Sequence, residues 1–298
     1  MARIPWQRAG ILRFDPMTET IASIPPNPRF IRRGYTACRF GHMHYRTAGP
    51  DDEAIASGRP AVVMLHQNPS SGFEYEPLIA QLATDRTVYA FDTPGYGMSD
   101  APDAPAGMAG YAAAFSDALD ALGLETVDLY GFHTGTLLAA ELAIARPETV
   151  RKAVMTGIPM YDAPTRAKKL ADADHFPVAD EDGKVIMDLL QRLWTYVVVN
   201  RDRRVPLDKA MRNFADKAAV LDRFTWAYKG VWGWDFARLA LVTCPVMVLQ
   251  PAEELRSVSL EAARVLPNAV VRELPDLDRE IFDIAPEILA HEIRSFLS

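Results

Sequence analysis

The feature that most restricts what this chain can fold into is the alternation of two periodicities along it. The runs AVVMLH (61–66), TVYAFD (87–92), TVDLYG (126–131), KAVMTG (152–157), PVMVLQ (245–250) and AVVREL (269–274) are short, apolar and rich in β-branched residues. Such runs read as strands buried on both faces of a parallel sheet. Between them lie helical patterns such as YEPLIAQLA, YAAAFSDALDALGL and GTLLAAELAIARP, the last closed by a proline just past its alanine-rich stretch. Strand and helix in turn imply a parallel sheet covered by helices. Ahead of them YTACRFGHMHYRTAG alternates with a period of two and turns near Gly41, which predicts a hairpin added antiparallel at the sheet edge. The expected architecture is α/β, with a mostly parallel sheet of eight strands.

The alternation breaks between residues 160 and 235. Strand patterns vanish there, and VIMDLLQRLWTYVVVN and PLDKAMRNFADKAAVLDRF carry helical spacing. A helical cap inserted after the sixth strand is the reading, lying over the carboxyl ends of the strands where open α/β sheets bind ligands. Residues 34–159 and 236–298 then form the core, 160–235 the cap, and the proline-rich residues 1–33 an arm across the surface or a partner.

Composition narrows the partners. A net charge of −7 and a pI near 5.4 disfavour nucleic acid or an anionic membrane, either of which needs a basic face. No stretch approaches the roughly 20 apolar residues of a membrane span, and the first residues lack the apolar core of a signal peptide. A cytoplasmic protein acting on a small molecule is expected, with a homodimer left open. Cys38 and Cys244 lie far apart, match no metal spacing and read as buried apolar residues, so neither a disulfide framework nor a zinc site is indicated; no metal or cofactor is expected.

The segment VDLYGFHTGTLL carries the chemistry. A strand followed by G-x-Nuc-x-G and a helix is the nucleophile elbow, in which a strained backbone lifts one side chain above the sheet edge. Gly131, Phe132, His133, Thr134 and Gly135 fill that pattern. A positive φ is uncommon outside glycine but relatively better tolerated by histidine. The partial positive charge at the start of the following helix opposes an imidazolium, so a neutral ring is expected. Such a ring serves as a general base, a hydrogen-bonding polariser of a carbonyl, or a polar contact for ligand.

With LHQNP (65–69) resembling the H-G-x-P oxyanion turn, FDTPGYGMSD (91–100) the loop after the next strand, and GFHTG the elbow, the chain from about residue 34 onward resembles the α/β-hydrolase superfamily. The resemblance implies a Ser, Cys or Asp at the elbow, an acid after a later strand and a histidine in the last loop. Here the elbow holds His133, the acid position falls on Glu254 or its neighbour Glu253, and the last histidine is replaced by Arg279. None of the six histidines lies in that final loop. Arg279 cannot shuttle protons; it is expected either to pair with Glu254 or to clamp an anionic or carbonyl-bearing substrate.

Other candidates follow from position. His66, Gln67, Asn68 and Thr134 are expected around the oxyanion and substrate, and Asp162 is a weaker candidate to orient His133. Asn68 matches the halide-binding asparagine of haloalkane dehalogenases, but those enzymes need an aspartate and a tryptophan where this chain has His133 and Thr134. Ser70 and Ser71 read as helix caps, Asp92 as an organiser of its own loop, and most of Trp194, Trp226, Trp232 and Trp234 as cap packing. Two functions remain in view: a cofactor-independent enzyme hydrolysing or cleaving a small carbonyl compound with His133 as base or polariser, and a ligand-binding protein of the same fold without turnover.

Overall fold

The computed structural model describes residues 30–50 and 58–298; most of the N-terminal arm lies outside them. Eight strands form one sheet in the order β1-β2-β4-β3-β5-β6-β7-β8. They are β1 (Arg32–Cys38), β2 (Gly41–Ala48), β3 (Ala61–Leu65), β4 (Val88–Phe91), β5 (Val127–Phe132), β6 (Val150–Thr156), β7 (Val246–Pro251) and β8 (Ala269–Leu274). β1 and β2 form the antiparallel hairpin, with Cys38 opposite Gly41, and every pair from β4 to β8 is parallel. Because β1 begins at Arg32, the end of the expected arm already belongs to the sheet. Every residue of β3, β5 and β7 is buried, which is why these strands read as unbroken apolar runs.

Helices cover both faces. On one side α2 (Gly107–Ala121), α3 (Thr134–Ala145) and α8 (Arg256–Ala263) pack on Val63, Leu65, Leu129 and Met155. On the other, α1 (Glu76–Leu82), the short α9 (Ile281–Ile284) and α10 (Pro286–Leu297) pack on Val62, Met64, Tyr130 and Leu249. Alternate residues of β3 thus feed two separate cores, as the two-residue period of a strand requires. Cys244 is buried, but Cys38 is only half-buried because β1 is an edge strand. No helix of the described residues is long and apolar enough to cross a membrane.

Between β6 and β7 the chain is helical: α4 (Ala163–Asp174), α5 (Lys184–Trp194) continued by a π-helical turn at Thr195–Val199, α6 (Leu207–Ala218) and α7 (Trp226–Trp232). Polar contacts tie this segment to the loop after β3. Lys217 Nζ donates to the Pro69 carbonyl at 2.8 Å, and Ser71 Oγ donates to Asp216 Oδ1 at 2.8 Å. Lys209 Nζ stands 3.7 Å from the centre of the Phe73 ring, and the Tyr228 hydroxyl donates to the Asn68 carbonyl. Partial burial raises the Asp216 carboxyl above its ordinary range. Trp194 packs edge-on against Phe214 and Trp234 is buried in the core, so both serve packing, whereas Trp232 reaches a cavity.

Two glycines let β5, α3 and β3 meet. A Cβ at Gly135 would overlap the Leu65 carbonyl and come within 3.1 Å of the His66 carbonyl, and one at Gly131 would lie 2.8 Å from the Thr136 Cα. All of these obstacles are backbone, which cannot rotate away. Gly135→Ala is therefore expected to destabilise the protein by about 3 kcal/mol or more in urea denaturation. Gly107, where nothing lies within 4 Å and only a φ of 68° opposes a side chain, is the comparison: Gly107→Ala should cost about 1–2 kcal/mol. Equal losses at the two sites would contradict the close-approach account.

Candidate active site

His133 joins the end of β5 to the start of α3 with φ 49° and ψ −111°, a conformation rarely adopted by any residue with a side chain. Its backbone is held on both sides. The His133 N–H donates to the Thr156 carbonyl at 2.9 Å, and the His133 carbonyl accepts from the Thr136 N–H at 2.9 Å and the Thr136 hydroxyl at 2.6 Å. The ring lies on Phe132, centroids 4.0 Å apart and planes inclined by 26°. Gly157 supplies the space beside it, since a Cβ there would come within 2.8 Å of His133 Nε2 and overlap Glu253.

The carboxylate that reaches His133 is Glu253, not Glu254. Glu253 Oε2 lies 2.6 Å from His133 Nε2, a short hydrogen bond to a carboxylate whose side chain is only 7% exposed. Gln250 Nε2 stands 3.4 Å from the other carboxylate oxygen. Since a carboxylate only accepts, the proton of the neutral ring belongs on Nε2, leaving the Nδ1 lone pair. Nδ1 has no hydrogen-bond partner among the described residues and is not one of the side-chain atoms closed off from solvent without a partner.

Glu254 has no hydrogen-bond or ion-pair partner among the described residues, so the expected pairing with Arg279 is absent. The Arg279 guanidinium instead stacks on Tyr196, 4.3 Å from its ring centre, donates to the Tyr196 carbonyl at 3.2 Å and lies 3.5 Å from Glu280. Tyr196 belongs to the π-helical turn, whose altered bonding leaves this carbonyl available.

The turn after β3 departs from expectation at two residues. His66 is fully buried: its Nδ1 donates to the Gln67 carbonyl at 2.6 Å and its Nε2 accepts the Thr93 N–H at 2.8 Å, so both ring nitrogens are committed to the turn and none meets a ligand. Asp162 caps α4, accepting from the Thr165 N–H at 2.7 Å, and lines neither cavity beside His133. The bond to Thr165 holds its carboxyl below the usual range. Gln67 donates from its N–H and its side chain to Glu74, a buried carboxylate that also accepts from Ser70, and that the sequence did not single out. The Asn68 amide atoms are shielded from solvent and have no hydrogen-bond partner among the described residues. The backbone N–H groups of Asn68 and Thr134 likewise have no acceptor among the described residues.

Neighbouring loops are stiffened as their sequences suggested. Ser71 caps the turn at Gly72–Tyr75. Asp92, fully buried, accepts from Gly72 and Met98 N–H groups at 2.8 and 2.9 Å and from His44 and Arg46 side chains. Burial alone would raise its carboxyl, but the bond to His44 and the charge of Arg46 outweigh that and hold it low. His175 and His291 are exposed.

Two adjoining cavities of about 390 and 710 Å³ meet at His133. Both are lined by Asn68, His133, Phe224, Tyr228 and Glu254. The smaller adds Thr134, Tyr161, Lys169 and Trp232; the larger adds Glu74, Tyr196, Glu253 and Arg279. The imidazole therefore stands at the waist of a two-lobed cleft between the strand ends and the helices joining β6 to β7.

The model of the alpha/beta hydrolase fold matches residues 60–227, more than half of the chain. The chain belongs to that family. A carboxylesterase of Bacillus subtilis, YbfK, is 31% identical over 122 residues, covering 41% of this chain and 39% of that protein. A haloalkane dehalogenase of Mesorhizobium japonicum is 38% identical over 98 residues, covering 33% and 31%. The match thus spans about two fifths or less of the length of these relatives. The fold extends further: a hydrolase from Pseudomonas aeruginosa superposes with a TM-score of 0.72 at 19% identity, over 89% of this chain and 98% of the other.

The His133–Glu253 pair makes a tautomer prediction. In ¹⁵N-detected NMR the neutral form of the ring should carry its proton on Nε2, and Glu253→Gln should shift that form toward a mixture of tautomers, whereas Glu254→Gln should leave it unchanged. A response to Glu254→Gln alone would reverse the assignment.

Proposed function

We propose that this member of the alpha/beta hydrolase family hydrolyses a small, partly apolar carbonyl compound, an ester in the first instance, with His133 as a general base in place of a covalent nucleophile. The observation that carries the reading is the 2.6 Å bond from Nε2 to Glu253, which leaves Nδ1 as the free nitrogen at the waist of the cleft. In the reaction, Nδ1 takes a proton from water as its oxygen attacks the carbonyl carbon. The imidazolium so formed is stabilised by the Glu253 carboxylate, which offsets the unfavourable end of the α3 dipole. The developing oxyanion is met by the N–H groups of Thr134 and Asn68. Collapse of the tetrahedral intermediate expels the leaving group, which recovers its proton from Nδ1.

The helical segment between β6 and β7 acts in this reading as a cap that excludes water and supplies aromatic walls. The carboxylesterase among the relatives supports an ester as the first substrate to try; the dehalogenase relative does not transfer its chemistry, since displacement of halide needs a carboxylate where His133 stands. Asn68, whose amide is turned away from solvent, contributes its backbone.

On a panel of p-nitrophenyl esters, His133→Ala should lower kcat/KM by about a thousandfold and Glu253→Gln by about a hundredfold, the range of general-base catalysis. A fluorophosphonate probe should leave no adduct on serine. Undiminished turnover by His133→Ala, or a serine adduct at Ser70 or Ser71, would defeat the mechanism. Ligand binding without turnover by the wild-type protein would favour the ligand-binding function instead.

A further inference from the structure

The charges of the cleft are not evenly satisfied. In the larger cavity all three cations are engaged: Lys217 on the Pro69 carbonyl, Arg201 on the Val198 and Val205 carbonyls at 2.7 and 3.0 Å, and Arg279 on Tyr196 and Glu280. Among the acids of the same cavity Glu253, Glu74, Glu280 and Asp283 also have partners. Glu254 and Asp278 have none among the described residues, and both are exposed to the cavity space. A bond to a neutral carbonyl leaves a cation its charge, but six carboxylates against three cations line this lobe, so its net charge is negative and the two acids without a partner among the described residues are the ones open to a ligand.

Glu254 differs from Asp278 in lining both lobes beside His133. Its surroundings are aromatic, with Tyr228 and Phe224 shared by the two lobes, Tyr196 on one side and Tyr161 on the other. Its carboxylate helps to push up the phenols of Tyr161, Tyr196 and Tyr228, after burial, which places its charge within reach of all three. The protein already seats an alkylammonium on walls of this kind: Lys169 Nζ lies 4.8 and 5.1 Å from the ring centres of Tyr161 and Trp232 in the smaller lobe. A lone carboxylate among aromatic rings is the arrangement that recognises an organic cation, by charge on one side and ring quadrupole on the others.

We propose that the cleft selects a substrate bearing a protonated or quaternary amine, and that Glu254 is the residue that sets this preference, with the cationic group in the larger lobe. The proposal rests on the hydrolytic reading above for the word substrate, but the charge preference is a property of binding and is measured apart from turnover. It also reverses the expectation that Arg279 clamps an anion, because that guanidinium is spent on Tyr196 and Glu280.

Calorimetric titration with benzyltrimethylammonium and with phenylacetate tests it on the full chain. The cation should bind about tenfold more tightly, the value of one ion–ion contact reinforced by aromatic rings. Glu254→Gln should bring the two within about twofold while thermal unfolding stays unchanged; Asp278→Asn should have the smaller effect. Equal or tighter binding of phenylacetate, or a preference that survives Glu254→Gln, would overturn the proposal. A parallel comparison of p-nitrophenyl esters carrying a trimethylammonium or a carboxylate separates the two readings. Cation-selective binding with no ester turnover would leave the charge assignment standing and defeat the hydrolytic one; turnover without charge preference would do the reverse.

Discussion

The site depends on one strained residue, His133, whose backbone is fixed at φ 49° between a strand and a helix. Left to itself this conformation costs on the order of 1–3 kcal/mol and relaxes. It persists because its N–H, its carbonyl and both glycines beside it are committed to β6, α3 and β3. Flattening the elbow would break these bonds together and drive backbone into backbone at Gly131 and Gly135. The sheet therefore works as a frame that aims one imidazole, and Phe132 beneath and Gly157 beside it decide which way the ring faces.

Much of this frame could be read from the sequence, because buried parallel strands leave a strong signal. The apolar runs at 61–65 and 246–250 lie in strands for the reason given for reading them so, burial that tolerates little else; the run at 269–274 is also a strand but not a buried one, because β8 closes the sheet edge and leaves Val270 and Val271 exposed. The elbow was legible too, since close approach demands Gly131 and Gly135 whatever residue stands between them. The acid was not settled. Glu253 and Glu254 are adjacent, and which one points at His133 is decided by the turn after β7, where the Ala252 N–H bonds to the Leu277 carbonyl and the Arg256 N–H to the Glu253 carbonyl. No periodicity encodes that. Asp162 carried a signal that was available: an acid followed by alanine, proline and threonine is a helix start, and it caps α4. His66 lay beside a real turn, but a ring with both nitrogens bonded to backbone inside the protein has nothing left for a ligand.

Placing a histidine at the elbow also changes what the last loop is for. In a triad that loop must hold a mobile proton carrier over the nucleophile. In the proposed reaction the elbow residue is itself the proton carrier, and the loop after β8 is left to bind structure. Arg279 holds the Tyr196 carbonyl and ring, and Glu280, also at positive φ (48°), accepts from the Asp202 N–H at 3.4 Å. The two neighbours thus pin the π-helical turn and the residues after it to the mouth of the larger lobe.

That substitution has a chemical corollary. One imidazole cannot both form a lasting covalent intermediate and serve as the base that later clears it, unless water attacks without help. In the proposed reaction, activation of water by Nδ1 uses the carboxylate behind the ring, N–H groups without an acceptor among the described residues, and the cavity in front. It also relaxes a geometric demand: the attacking atom belongs to water, which finds its own place, and the side chain need not reach the carbonyl carbon. A ring raised by a strained elbow, held at one nitrogen and open at the other, is suited to that lighter task.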